Sequence, residues 1–382
     1  MVANQTRPVH KSREIKTAKN FKRRVLSIDG GGIRGIIPAM ILNYIEEHTG
    51  KRIATMFDLI AGTSTGGILA LGLTKRNSDL KGTKRNSDFK DKSEPEYAAS
   101  ELVDFYRKYG SKIFKEQILG PIDDLFFGSK FGSQGKQEVL TDLLGETHIE
   151  DAVREVLVTS YDIELRVPVF FTSNHEAEET DSFDSRKVCR GFSMVEAAMS
   201  TSAAPTFFPP YKLDTVHRTP EGYYALVDGG IFANNPTSLA MHETMISYKR
   251  KTKQELHRKD TLVVSLGTGA LTKRYKYKEA KKWGQLQWVL PLLNVVFDGQ
   301  SEAVAYQLSQ LMIREEDSAK GEYINYYRFQ MPLSSDDSHD QMDNANPDNL
   351  EYLEELGRRL IRQRKKTLDQ LCEVLSQPLE ED

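Results

Sequence analysis

Residues 56–73 read Met-Phe-Asp-Leu-Ile-Ala-Gly-Thr-Ser-Thr-Gly-Gly-Ile-Leu-Ala-Leu-Gly-Leu. The first six are apolar apart from Asp58, which fits a largely buried strand; Gly62 to Gly67 form a turn, and Ile68 to Leu73 begin a helix. The same order occurs just upstream. Arg24 to Asp29 is a short apolar strand, Gly30 to Gly32 follow it, and Ile36 to His48 carries Ile37, Met40, Ile41, Tyr44 and Ile45 at helical spacing. Two strand-turn-helix units in succession predict an α/β fold with a mostly parallel sheet and helices on its faces.

Downstream, Val156–Tyr161, Val167–Ser173, Tyr223–Asp228, Thr261–Leu266 and Tyr323–Gln330 read as strands, and Met194–Met199 and Asn235–Ser247 as helices. Lys276–Met312 has a helical pattern that Pro291 and Gly299 are expected to break. Asn349–Leu375 places Leu353, Leu356, Leu360, Leu368, Leu371 and Leu375 at helical spacing, as a helix capping the core would. No stretch rich in Pro, Gly or Ser separates two folds. The expected organisation is a basic tail over 1–23, a catalytic core over 24–247, and a C-terminal part of the same domain over 248–382 that adds a strand and the helical cap.

Composition narrows the partners. A chain of 382 residues, 39% hydrophobic and 28% charged, has the material for a water-soluble globular core. Its net charge of −3 argues against nucleic acid, whose phosphates call for a cationic excess. Small molecules, lipids and proteins remain. The two cysteines, Cys189 and Cys372, are too far apart in sequence to suggest a disulfide framework or a zinc site, and they fit a reducing, cytoplasmic location. Eight Lys or Arg lie in the first 24 residues with no apolar run behind them, so the segment is no secretory signal. It reads as a solvated tail or as a contact for an anionic surface. Thr74–Asp79 recurs as Thr83–Asp88, a duplicated polar loop or a cationic lid. The glycines inside 57–74 rule that stretch out as a membrane span.

Three motifs carry chemistry. Gly62-Thr-Ser64-Thr-Gly66 fits the G-x-S-x-G nucleophile elbow, and its setting after a buried strand and before a helix counts for more than the pattern itself. Flanking glycines let the chain turn sharply enough to expose a serine hydroxyl, and the following helix N-terminus favours the negative charge of acyl transfer. Asp29-Gly-Gly-Gly-Ile-Arg-Gly35 also satisfies the G-x-G-x-x-G of dinucleotide sites. That use requires an acidic residue closing the second strand, whereas Asp58 stands near its start. The competing use brings the backbone N–H groups of Gly30, Gly31 and Gly32 to a developing oxyanion. Arg34 then orients this loop, meets an anionic head group, or pairs with a carboxylate.

None of the eight histidines stands at a strand tip beside glycine. Asp228 does, in Ala225-Leu-Val-Asp-Gly-Gly230. Ligands bind at the C-terminal edges of parallel strands, so Gly30 to Gly32, Ser64 and Asp228 are expected to converge from three strands, with Asp228 as base for Ser64. An ordinary aspartate is a weak base, which implies burial or strict positioning. The bland alternative is a turn residue after a strand.

Taken together, Asp29–Gly35, Gly62–Gly66 and Asp228–Gly230, with Ser200–Tyr211 (STSAAPTFFPPY), Val227–Pro236 (VDGGIFANNP) and Ser265–Gly269 (SLGTG), resemble the patatin-like phospholipase family. The likeness runs from about Arg24 to Met312 and is strongest for the plant patatin and bacterial patatin-like branch. It implies a three-layer α/β/α fold and a serine–aspartate acyl hydrolase without histidine or cofactor. By motif it makes Ser64 the nucleophile, Asp228 its partner, the amides of Gly30, Gly31 and Gly32 the oxyanion hole, and Gly62, Gly66 and Arg34 supporting residues. The implied reaction releases fatty acids from membrane or micellar phospholipids, galactolipids or lysolipids, at peripheral contact with a membrane.

Two competitors stay open. One is a conventional Ser-Asp-His esterase in which His339 or His257 follows Asp228 in chain order. The other is a storage or signal-responsive protein that keeps the fold. Ala203–Pro210 reads as a wall for an acyl chain or as core aromatic packing. Trp283, Trp288, Leu290, Leu292 and Leu293 read as a bilayer contact or as one face of a core helix. Nothing in the sequence sets the oligomeric state.

Overall fold

The computed structural model describes residues 20–77, 94–114, 129–173, 186–188 (backbone only), 191–216, 218, 220–270, 275–312, 324–333 and 342–380. The chain begins with β1 (Arg23–Ile28), all six residues of which are buried. It is flanked by β2 (Leu59–Thr63) and β8 (Thr261–Leu266), both parallel to it and fully buried as well. Strands covered on both faces need continuous apolar sequence, which is why these runs do not alternate.

Seven strands form the main path, in the order β5 (Arg186–Val188), β4 (Val167–Thr172), β3 (Glu155–Asp162), β2, β1, β8, β9 (Tyr326–Phe329). The central pairs β3–β2–β1–β8–β9 are parallel; β4 runs antiparallel to β3. A hairpin of β6 (Tyr211–Asp214) and β7 (Tyr223–Asp228) joins β3 through β7.

Helices cover both faces. One core gathers α1 (Ile36–Thr49), α2 (Thr65–Thr74), α3 (Ala99–Ile113), α4 (Ser133–Leu144) and α5 (Met194–Thr201) against Leu26, Ile28, Ile60 and Val158. The other sets α7 (Thr237–Thr252) and the end of α9 (Gln285–Leu311) against Val25, Leu59, Ala61 and Val263. Adjacent residues of β1 thus enter opposite cores, the period-two geometry of a strand between two helical layers. The result is three-layered α/β/α, as expected.

The C-terminal segment is two helices, α10 (Pro347–Gln363) and α11 (Lys365–Leu375), which part at Arg364 and both pack on α1. Arg24 anchors their end. Its buried guanidinium donates to the carbonyls of Leu375, Gln377 and Pro378 at 3.3, 3.0 and 3.0 Å, so a strand residue satisfies the carbonyls at and just beyond the end of α11. Phe21 is buried too, so the fold starts before β1; residues 1–19 of the basic tail lie outside the described residues. So do Cys189 and the second copy of the 74–88 repeat. Cys372 is a buried thiol on α11, pushed up to about 11 by burial and hence unreactive.

Contrary to the expected breaks, α9 runs unbroken through Pro291 and Gly299. Pro291 is its seventh residue and forfeits one backbone bond without ending the helix. Among the described residues no helix is long and apolar enough to cross a membrane.

Candidate active site

Thr63 ends β2 opposite Thr159 of β3, and on the same side of β3 the next residue, Ser160, faces Asp228, the last residue of β7. β2 and β7 therefore meet end to end along one strand, each arriving by its C-terminus. The expected convergence of parallel strands is replaced here by a head-on meeting, because the β6–β7 hairpin turns β7 antiparallel to β3.

Ser64 follows β2 directly and stands at φ 55° and ψ −122°, outside ordinary helix and strand geometry. Such strain is tolerated only where the surroundings over-determine it. Here a Cβ on Gly62 would lie 2.0 Å from the carbonyl oxygen of Gly66, and a Cβ on Gly66 would lie 2.2 Å from that of Ile28. Glycine is the residue that permits both approaches. The backbone N–H of Ser64 donates to Thr201 Oγ1 at 2.8 Å, and α2 starts at the next residue. The neighbouring Thr63 Oγ1 shares a 2.7 Å bond with Thr159 Oγ1 and donates to the Ala233 carbonyl at 2.7 Å, tying the turn to the segment after β7.

The Asp228 carboxyl is buried; it accepts from Gly230 N–H at 2.7 Å, and the Ser64 side chain stands close enough to favour its ionised form. Burial raises its pKa to about 6, against the pull of Ser64, the Gly230 amide and the Lys136 cation. A carboxylate so placed is a far better proton acceptor near neutral pH than an exposed one.

Gly31 and Gly32 line the pocket beside Ser64 and Asp228, and their N–H groups carry no hydrogen bond to another described residue. Gly30 differs. Its N–H donates to the Asn234 carbonyl at 3.0 Å, and Thr268 Oγ1 donates to its carbonyl at 2.6 Å, so this glycine fixes the loop. Behind the loop Asp29 is clasped by Arg328 of β9, with Nη1–Oδ1 at 2.9 Å and Nη2–Oδ2 at 2.6 Å. Arg34 is buried, donates from Nε to the Gly31 carbonyl at 3.3 Å and attracts the Asp298 carboxylate of α9. It orients the loop from behind.

The pocket encloses about 730 Å³ when the solvent-open space at its mouth is counted. Its walls are mostly apolar: Ile33, Ile68, Phe105, Tyr106, Phe207 and Phe208, with Phe297 from α9. The Ala203–Pro210 run packs in the core and also reaches the pocket wall. Phe208 packs on Phe131 at 5.6 Å between ring centres and also borders the cavity. No histidine lines this pocket among the described residues. His257 is exposed and precedes β8, at the opposite edge of the sheet; His339 lies outside the described residues.

Lys136 is the pocket residue that sequence motifs miss. It is buried on α4, its Nζ donates to the Ser202 carbonyl at 2.8 Å and stands 3.9 Å from the centre of the Phe208 ring, and it attracts Asp228. Burial lowers its own pKa to about 7. The available signal was its spacing: with Val139, Leu140 and Leu143 it occupies the buried face of α4. Because the cation favours ionised Asp228, Lys136→Met is expected to shift the acid limb of the pH–rate profile upward. kcat/KM for ester hydrolysis at pH 6 should then fall by roughly threefold or more relative to its value at pH 8. An unmoved limb would show that Lys136 does not act through Asp228.

The family described as Patatin-like phospholipase matches residues 26–241. Patatin-T5 of Solanum tuberosum is 33% identical over 354 residues, covering 88% of this chain and 83% of the relative. Patatin-2-Kuras 3 of the same plant is 33% identical over 356 residues with the same coverage. A third, described as probable inactive patatin-3-Kuras 1, is 33% identical over 358 residues and covers 88% of this chain and 86% of its own.

Proposed function

The chain belongs to the patatin-like phospholipase family, and from that membership we propose that it releases fatty acids from glycerolipids through an acyl-enzyme on Ser64, with Asp228 as its sole proton-transfer partner. What supports this reading above all is the meeting of a strained serine and a buried carboxylate, carried by strands that end on neighbouring residues of β3, in one mostly apolar pocket.

In the proposed reaction the Asp228 carboxylate takes the Ser64 proton as Oγ adds to the ester carbonyl. The carbonyl oxygen becomes an oxyanion facing the amides of Gly31 and Gly32 and the N-terminus of α2. Collapse breaks the bond to the alcohol oxygen, which leaves with the proton held on Asp228. Water then adds to the acyl-enzyme, Asp228 accepts its proton, and Oγ recovers that proton as the fatty acid departs. Aromatic and aliphatic walls take the acyl chain, and the lipid is drawn from a membrane or micelle.

A fluorophosphonate probe is expected to label the folded protein at a single site, found by peptide mass spectrometry at Ser64 and absent from Ser64→Ala. Incubation with mixed phospholipids, galactolipids and triglycerides, read by mass spectrometry of the products, then identifies the lipid class. A folded protein that is neither labelled nor releases fatty acid would sink the reading and favour a storage role.

A further inference from the structure

The N-terminal half of α9 turns its apolar side outward. Leu286, Trp288, Val289, Leu292 and Val295 are 74%, 42%, 41%, 52% and 49% exposed, so most of the large exposed hydrophobic residues of the described chain sit on this helix. Farther along, Phe297, Leu308 and the C-cap Met312 are buried, so one continuous helix leaves the core and carries an apolar surface into solvent. A contiguous exposed patch of this kind marks an interaction site.

Its surroundings indicate the partner. Ahead of the patch, α8 (Tyr277–Ala280) and its flanks hold Lys276, Lys278, Lys281 and Lys282, all exposed, against one exposed acid, Glu279. Trp283 links the two parts, its ring 5.3 Å from that of Tyr275 and 5.1 Å from that of Trp288. Lysines, then indoles, then aliphatic side chains are the sequence of groups that suits phosphate, interface and acyl layers. The same helix supplies Phe297 to the pocket, eight residues beyond Val289 and about 12 Å along the axis.

We propose that residues 276–296 dock the enzyme on a bilayer containing anionic lipid and set the pocket mouth against it. The inference rests on the lipid hydrolase reading for its purpose, but docking is measured without catalysis. The core reading of this segment does not hold for Trp288 and Leu292, which are exposed; the side chain of Leu290 lies outside the described residues.

The test uses the full chain, phosphatidylcholine vesicles with and without phosphatidylglycerol, and two variants. Leu286→Ser/Val289→Ser/Leu292→Ser is expected to lose at least about tenfold in co-sedimentation with anionic vesicles while hydrolysing a water-soluble short-chain ester at the unaltered rate. Lys278→Glu/Lys281→Glu/Lys282→Glu is expected to lose binding to the anionic vesicles and little of any binding to neutral ones. Undiminished sedimentation of either variant with anionic vesicles would overturn the proposal. So would a dimer of the unaltered protein, seen by light scattering, that the serine variant splits, since a second copy would then cover this face. No turnover of the soluble ester by the unaltered protein would count against the hydrolase reading and leave the sedimentation result standing.

Discussion

Asp228→Asn is expected to lower kcat/KM for ester hydrolysis by at least about a thousandfold while making the folded protein more stable at neutral pH. The first effect follows from removing the base in the proposed dyad, beside which no described residue of the pocket is a histidine. The second follows from linkage. The carboxyl titrates near 6 in the fold and near its ordinary value when unfolded, so between those values the folded state binds the proton more tightly. Its contribution to stability is present below about pH 4 and is lost as pH rises through 6, amounting to up to about 3 kcal/mol at pH 8. Asparagine fills the same space without the charge. Melting curves of the two proteins should therefore separate at pH 8 and come together near pH 4. The wild-type acid limb should fall near pH 6. An Asp228→Asn protein that keeps substantial turnover would remove the dyad.

Arg328→Met carries the largest stability penalty. Asp29 is buried at the start of the glycine loop, where burial pushes its carboxyl up and the bidentate Arg328 guanidinium draws it back toward ionisation. Arg328 Nη1 also donates to Ser265 Oγ at 2.9 Å, so the pair ties β1, β8 and β9 together. Deleting one partner of such a pair strands a charge, at a cost of about 3–5 kcal/mol. Arg328→Met/Asp29→Asn removes the stranded charge and is expected to recover most of that loss in urea denaturation at pH 7. If the single variant unfolds at the wild-type midpoint, the pair contributes nothing to holding the loop.

Much of the fold was legible because β1, β2 and β8 are apolar on both faces, and buried strands followed by glycine turns specify an α/β sheet locally. The residues at the tips of β1, β2 and β7 were legible for the same reason: glycine beside Ser64 and Asp228 interrupts an otherwise apolar pattern. The direction of β7 was not, since it depends on a hairpin partner and on β3, nearly seventy residues upstream. Lys136 and Arg328 escaped because a lone cation in an amphipathic stretch reads as solvated, and only the third dimension shows what lies over it. Pro291 misled in the other direction. It sits early in a long helix, where its neighbours hold the chain helical despite one missing bond.

Two strands that end on neighbouring residues of a third share one ruler. The interval between the stations of Thr63, which carries Ser64, and Asp228 is a single step of β3, about 3.3 Å, set by the strand itself and not by the helical layers on the sheet. A shift of α3, which carries Phe105, or of the segment after α5 that carries Phe208, both on the pocket wall, would leave that spacing unchanged. A three-residue relay with its members on separate loops has no such common reference, and each loop must be held by packing of its own.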